Sequence, residues 1–183
     1  KAAETKAPDD LSIAVLPFAN WSDDKENEYF SDGITEDIIT DLAKITSLRV
    51  SSRNSVFTYK GKNVDVQKVG SEMNVRYVLE GSVRKAGNRI RITAQLIEAS
   101  SNTHMWAERF DRDLQDVFAI QDEISKHIAG ELKIRLTKEQ EQALTRKGTE
   151  SLEAYDAYLK GLFHSRRKTK SDLDLAVDHL NRA

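Results

Sequence analysis

Apolar and polar residues alternate with a period of two over residues 89–96, where Ile90, Ile92, Ala94 and Leu96 interleave with Arg89, Arg91, Thr93 and Gln95. A strand with one buried face leaves that pattern. It is the middle strand of a meander running from Arg76 to Arg112, with turns at Ala86-Gly87-Asn88 and at Ser100-Ser101-Asn102. Gly and Asn suit both turns because they tolerate a positive φ. Upstream, Ser12–Phe18 is a short apolar run rich in β-branched residues, as in a buried parallel strand, with Pro17 where its ladder ends. Leu48–Ser52 reads as a second such strand.

Between these runs the period becomes helical. Ile34, Ile38, Leu42 and Ile45 share one face of a helix that Ser31 or Asp32 could cap. Asp65 could cap a second, carrying Val66, Val69 and Met73. A third is expected from about Leu114 to about Leu136, with Val117, Ile120, Ile124 and Ile128 as its stripe. Asp111, Asp113 and Asp116 at its start and Lys126, Lys133 and Arg135 in its later turns match the helix dipole. The order strand–helix–strand–helix–meander–helix predicts an α/β domain over 11–136 with a mixed sheet of about five strands. The first three strands should be parallel and the meander antiparallel.

Residues 137–150 are almost wholly polar and read as a linker, with Gly148 ahead of a cap at Thr149 or Ser151. The tail over 151–183 reads as a helical hairpin. Leu152, Tyr155, Tyr158, Leu159 and Leu162 mark its first helix, and Leu173, Ala176, Leu180 and Ala183 its second, with a turn over 165–171. A hairpin with small residues at its crossing resembles one unit of an α-solenoid, which cannot bury its own face alone. The polar, Ala-rich start over 1–10 reads as a linker from something upstream, so the chain is expected to be a fragment of a longer protein.

Composition excludes more than it assigns. In 183 residues, 28 Lys and Arg nearly balance 30 Asp and Glu, so the net charge of −2 gives no electrostatic case for non-specific nucleic-acid binding. Hydrophobic residues make up 39% and charged residues 32%, ordinary for a globular protein. No run approaches the apolar length of a membrane helix. The absence of cysteine excludes disulfides and thiolate chemistry.

Candidate chemistry is sparse. The carboxylates Glu26, Glu28, Asp32, Glu36 and Asp37 read best as caps and as the solvated face of a helix. His104, His127, His164 and His179 are scattered without metal-site spacing, so no metal or other cofactor is expected. Asp32-Gly33 and Glu80-Gly81-Ser82 belong to no phosphate-binding motif, and Gly81 suits a bulge or close packing. Arg53, Asn54, Ser55 and Tyr59, after the second strand, are the best small-ligand candidates, since crevices open at the carboxyl ends of parallel strands. A plain turn is the alternative reading of the same residues. In the last meander strand Trp106 is expected to share a face with His104 and Glu108, as core packing or as an interface anchor. That strand reads as the sheet edge, where a second copy could pair into a symmetric dimer. Tyr155 and Tyr158 are further interface candidates on the tail.

IAVLPFAN, EYFSDGITEDIITDLAKI, VRYVLEGSVRKAGNRIRITAQLIEA and HMWAERFDRDLQDVFAIQDEI, in this order, resemble the TolB-amino-terminal-like domain over about residues 11 to 136. ESLEAYDAYLKGL resembles the lead-in to a tetratricopeptide repeat, and Ala176, Leu180 and Ala183 match the small–large–small positions of a repeat's second helix. The resemblance implies a bacterial signalling protein in which this segment follows an effector, a class III nucleotide cyclase domain or a winged-helix DNA-binding domain. The paired metal-binding aspartates of such a cyclase and a recognition helix are both missing here. The chain is therefore expected to be non-enzymatic: a regulatory module that binds proteins, including its own effector domain, and makes no direct contact with nucleic acid. A cytoplasmic location is expected, or a periplasmic one if a membrane segment precedes it. A small-molecule sensor centred on Arg53 is the alternative.

Overall fold

The computed structural model describes residues 9–145, 149, 151–167 and 169–183. Most of the expected linker over 1–10, and Gly148, lie outside them. Six strands form one mixed sheet: β1 (Asp9–Val15), β2 (Ala19–Asn20), β3 (Arg49–Val50), β4 (Val75–Ala86), β5 (Arg89–Glu98) and β6 (Thr103–Asp113). Their order is β3-β1-β4-β5-β6, with the two-residue β2 beside β4. β1 runs parallel to β3 and β4, and the meander is antiparallel, as the pattern of elements predicts. Gly87 at φ 56° and Asn102 at φ 53° make its two turns.

The helices are α1 (Glu28–Ala43), α2 (Arg53–Val56), α3 (Val66–Met73), α4 (Val117–Glu131), α5 (Lys138–Leu144), α6 (Leu152–Arg167) and α7 (Lys170–Arg182). α4 packs on the face of the meander that carries Trp106 and Arg112: His127 stacks on Trp106, and Glu123 pairs with Arg112 at 2.7 Å. α1 reaches the same side, where Lys85 lies 4.7 Å from the Phe30 ring. Ile13, Ile34, Ile38, Leu79, Ile92, Leu96, Ile120 and Ile124 are buried in the core between sheet and helices. α3, capped by Asp65 as expected, packs through Gly70 against Ala99. Gly81 has Phe18 and the Thr93 carbonyl so close that a Cβ could not be accommodated, a packing role and no phosphate loop.

Four expectations are corrected. α1 begins one turn earlier, at Glu28, so Ser31 and Asp32 do not cap it and are buried inside it. α4 stops at Glu131, short of Leu136. Its end is a Schellman turn: the Lys133 N–H donates to the Gly130 carbonyl and the Ile134 N–H to that of Ala129, each at 2.9 Å. Lys133 holds φ 53° there, in a position glycine usually fills, so no glycine signals the stop. Lys133→Gly is expected to stabilise the chain by about 0.5–1 kcal/mol, read as a raised urea midpoint with an unchanged slope. Thirdly, part of the polar stretch 137–150 is helical: α5 opens on a capping box between Thr137 and Gln140.

The fourth correction concerns β6. Leu96 pairs with Trp106 but its neighbour Ile97 pairs with His104, so Met105 is the extra residue of a β-bulge. The bulge moves His104 to the face opposite Trp106 and Glu108.

Candidate interaction site

Of the expected small-ligand cluster, Arg53 and Tyr59 pair with other side chains. Ser52 caps α2 by accepting from the Ser55 N–H, so the segment is a short helix and not an open turn. Arg53 lies 3.7 Å over the Phe57 ring, and its Nε is 3.3 Å from Glu36 on α1. Asn54 and Ser55 are exposed. The Tyr59 hydroxyl donates to Glu72. Tyr59 does border a cleft of about 670 Å³ with Trp21, Lys60, Lys62, Glu80 and Gln95, but Arg53 does not line it. Trp106 is half-buried, stacked 5.3 Å from His127, whose Nε2 is 3.5 Å from Glu108. It is packed against α4 as a core-flanking aromatic, while His104 is exposed on the other face.

Another arrangement of polar groups lies where α6 crosses α1. Residues 29, 33, 36 and 37 fall on a second face of α1, turned from the sheet toward the hairpin. At its centre Gly33 meets Leu159: a Cβ on Gly33 would fall 2.5 Å from a Leu159 methyl and 3.0 Å from its Cγ. Gly33 is thus the close-approach point of two helices. Leu159 is 2% exposed, so little room exists for it to yield.

Around this point Tyr155, Asp156 and Arg166 of α6 make polar contacts. The Tyr155 hydroxyl donates to the Asp37 carboxylate and accepts from Gln121 Nε2 at 3.0 Å, and Gln121 also donates to Asp37 at 3.0 Å. Its ring packs edge-on against Phe30 and Phe118. The Tyr29 hydroxyl donates to Asp156, which Lys85 reaches at 3.3 Å and Lys160 at 2.7 Å. Arg166 donates to Glu36, the same carboxylate that Arg53 approaches. Lys60 joins Asp32 at 2.5 Å and Glu28 at 2.9 Å. The structure therefore brings Tyr155 and Arg53 into one network through α1, leaves Tyr158 exposed at its rim, and places His104, Trp106 and Glu108 apart.

Burial sets the electrostatics. Loss of solvation pushes the Asp37 carboxyl up to about 6, although hydrogen bonds from Tyr155 and Gln121 partly oppose the rise. Burial also raises Asp32, opposed by Lys60, and raises Tyr155 well above the usual phenol range, helped by the neighbouring Asp37. The acidic face that reads as solvated in the sequence is in fact half enclosed. Buried pairs of this kind add little net stability but are costly to break on one side.

The hairpin itself closes at Gly161, against which the Leu180 side chain packs. Beyond it Leu173, Val177 and Leu180 are 48%, 61% and 43% exposed on one stripe of α7. No cluster of potential metal ligands occurs among the described residues. Among them no helix is long and apolar enough to cross a membrane.

These elements make a mixed-sheet α/β domain with a helical hairpin docked on it. The chain belongs to the family of the HilA/YgeH-like transcriptional regulator second domain, whose model matches residues 9–127. It is 55% identical over 149 residues to a Rhizobium meliloti (strain 1021) protein named "Putative adenylate cyclase 3". That match covers 81% of this chain, which spans only 25% of the length of the relative. Among solved structures, the lipoprotein GNA1162 from Neisseria meningitidis superposes with a TM-score of 0.50 at 17% identity, covering 65% of this chain and 96% of the lipoprotein. TolB from Acinetobacter baumannii gives 0.49 at 18% identity, covering 70% of this chain and 30% of TolB. The lipoprotein likeness is one of fold alone.

Proposed function

We propose that this chain is a non-enzymatic regulatory and protein-interaction module of a bacterial signalling protein, coupled to a nucleotide cyclase domain in the same polypeptide. The observation that carries the reading is the docking of α6 on α1 through Gly33–Leu159 and the Asp37–Tyr155–Gln121 network. A partner that binds the hairpin better in one of two positions shifts the balance between docked and parted forms, and the effector senses the change. The hairpin acts as a tetratricopeptide-like unit whose exposed Leu173, Val177 and Leu180 continue toward partners. On this reading the module works in the cytoplasm beside its effector. The high identity to the Rhizobium protein supports the cyclase as that effector.

The family match favours a second reading, in which the same module regulates a transcription factor. One experiment separates the two. Gly33→Val in the full-length parent should change cyclic nucleotide output at unchanged protein level if the effector is a cyclase. It should change only reporter transcription in the other case. A variant with neither effect would refute transmission through this contact.

A further inference from the structure

β6 ends the sheet, and its outer edge carries an unusual order of charges. Beyond the Met105 bulge the strand reads Ala107, Glu108, Arg109, Phe110, Asp111, Arg112, Asp113. Glu108, Phe110 and Arg112 lie on the α4 face with Trp106, and Ala107, Arg109, Asp111 and Asp113 on the open face. Exposed edge strands template pairing with another chain, and charges along them usually block it. Here their sequence permits it with one partner.

The geometry points to a second copy of this chain, paired antiparallel through β6 about a two-fold axis at Phe110. Two strands related by such an axis oppose residues symmetrically placed about its centre. With Phe110 at the centre, Arg109 faces Asp111 of the second copy and Glu108 faces its Arg112, each pair occurring twice. Ala107 then faces Asp113. Every charged residue from 108 to 112 meets its opposite. Shifting the centre by one residue puts Arg109 or Asp111 against itself, and like charges directly opposite are destabilising. The register is therefore chosen by the sequence of charges.

The neighbouring strand extends the match. Ile92 pairs with Phe110, so the axis continues an apolar row, Ile92–Phe110–Phe110–Ile92, beneath α4 in both copies. On the open face Arg91 Nη2 already reaches Asp111 at 2.5 Å, and Arg109 of the second copy completes an alternating row. Arg109 itself is exposed and forms no ion pair among the described residues. The bulge at Met105, 40% exposed, limits the pairing to residues 107–113. Neither α1 nor the hairpin takes part, so the inference stands apart from the proposed function.

Sedimentation of the 183-residue chain, alone and in mixtures, tests it. The wild-type chain should associate to twice its 20.7 kDa mass. Arg109→Glu and Asp111→Lys should each weaken association about tenfold or more, by setting two like pairs across the axis. Mixed in equal amounts, the two variants should associate again. The unchanged Arg109 of one then faces the unchanged Asp111 of the other, and the two substituted side chains, one acidic and one basic, face each other. Melting curves of each variant verify that it folds, and Arg109→Glu is the safer probe because Asp111 also holds Arg89 and Arg91. A wild-type chain that stays monomeric to the millimolar range overturns the inference. So does a dimer indifferent to Arg109→Glu, or variants that fail to rescue each other.

Discussion

Leu159→Ala is expected to destabilise the chain by about 2–4 kcal/mol, the usual cost of emptying a well-packed site. The same change should reverse the sign of a second one. In the native chain Gly33→Ala forces a methyl to within 2.5 Å of Leu159, and overpacking of this kind costs about 1–3 kcal/mol. Against that stands a gain of about 1 kcal/mol from removing glycine from a helix interior. The net result is a loss. With Leu159 truncated the clash is gone and only the gain remains, so Gly33→Ala should then stabilise by about 1 kcal/mol. Urea unfolding of the four chains measures the coupling directly. Equal effects of Gly33→Ala in both backgrounds would mean that α6 does not rest on α1 as described.

Asp37→Asn is expected to change how stability depends on pH. The Asp37 carboxyl rises from 3.8 to about 6 on folding, chiefly because it loses solvation. Between those values the folded chain holds a proton that the unfolded chain has released, so its stabilising contribution is full below about pH 4 and falls as pH rises through about 6. Asn presents a carbonyl oxygen to the Tyr155 hydroxyl and to Gln121 but carries no charge. Asp37→Asn should therefore be more stable than the native chain at about pH 8, by about 1–3 kcal/mol, and match it near pH 4. Difference melting curves across that range isolate this residue from the other titrating groups. A constant difference at every pH would contradict the assignment.

The sheet was legible in the sequence because its meander buries one face and leaves the other wet: Ile90, Ile92, Ala94 and Leu96 against Arg89, Arg91, Thr93 and Gln95. The hairpin was legible for the same reason at helical spacing. The interaction site was not. α1 is enclosed on two sides, so Asp37, which occupies an ordinary position for a solvated acidic face, is covered by Tyr155 of α6 from more than a hundred residues away, and Asp32 is met by Lys60. Gly33 carried no local signal either, since its reason is the Leu159 side chain. The bulge that separates His104 from Trp106 adds one residue without any glycine to mark it, and period-two counting passes straight through. Lys133 hid the end of α4 in a similar way, by filling a glycine position. Of the residues the sequence marks, Tyr155 lies in the network through Asp37, and Arg53 reaches the neighbouring Glu36, which it shares with Arg166 of α6, a juxtaposition that their separate motifs do not reveal.

Transmission through the docked hairpin requires that α6 part from α1 while the sheet stays folded. Hydrogen exchange resolves such partial openings from global unfolding. The amides of α6 should exchange at least about tenfold faster than those of β5 in the native chain, and Gly33→Ala should widen that gap by accelerating α6 alone. If the α6 and β5 amides exchange together, in both the native chain and the variant, the hairpin and the sheet form one cooperative unit and no parted state exists for a partner to select.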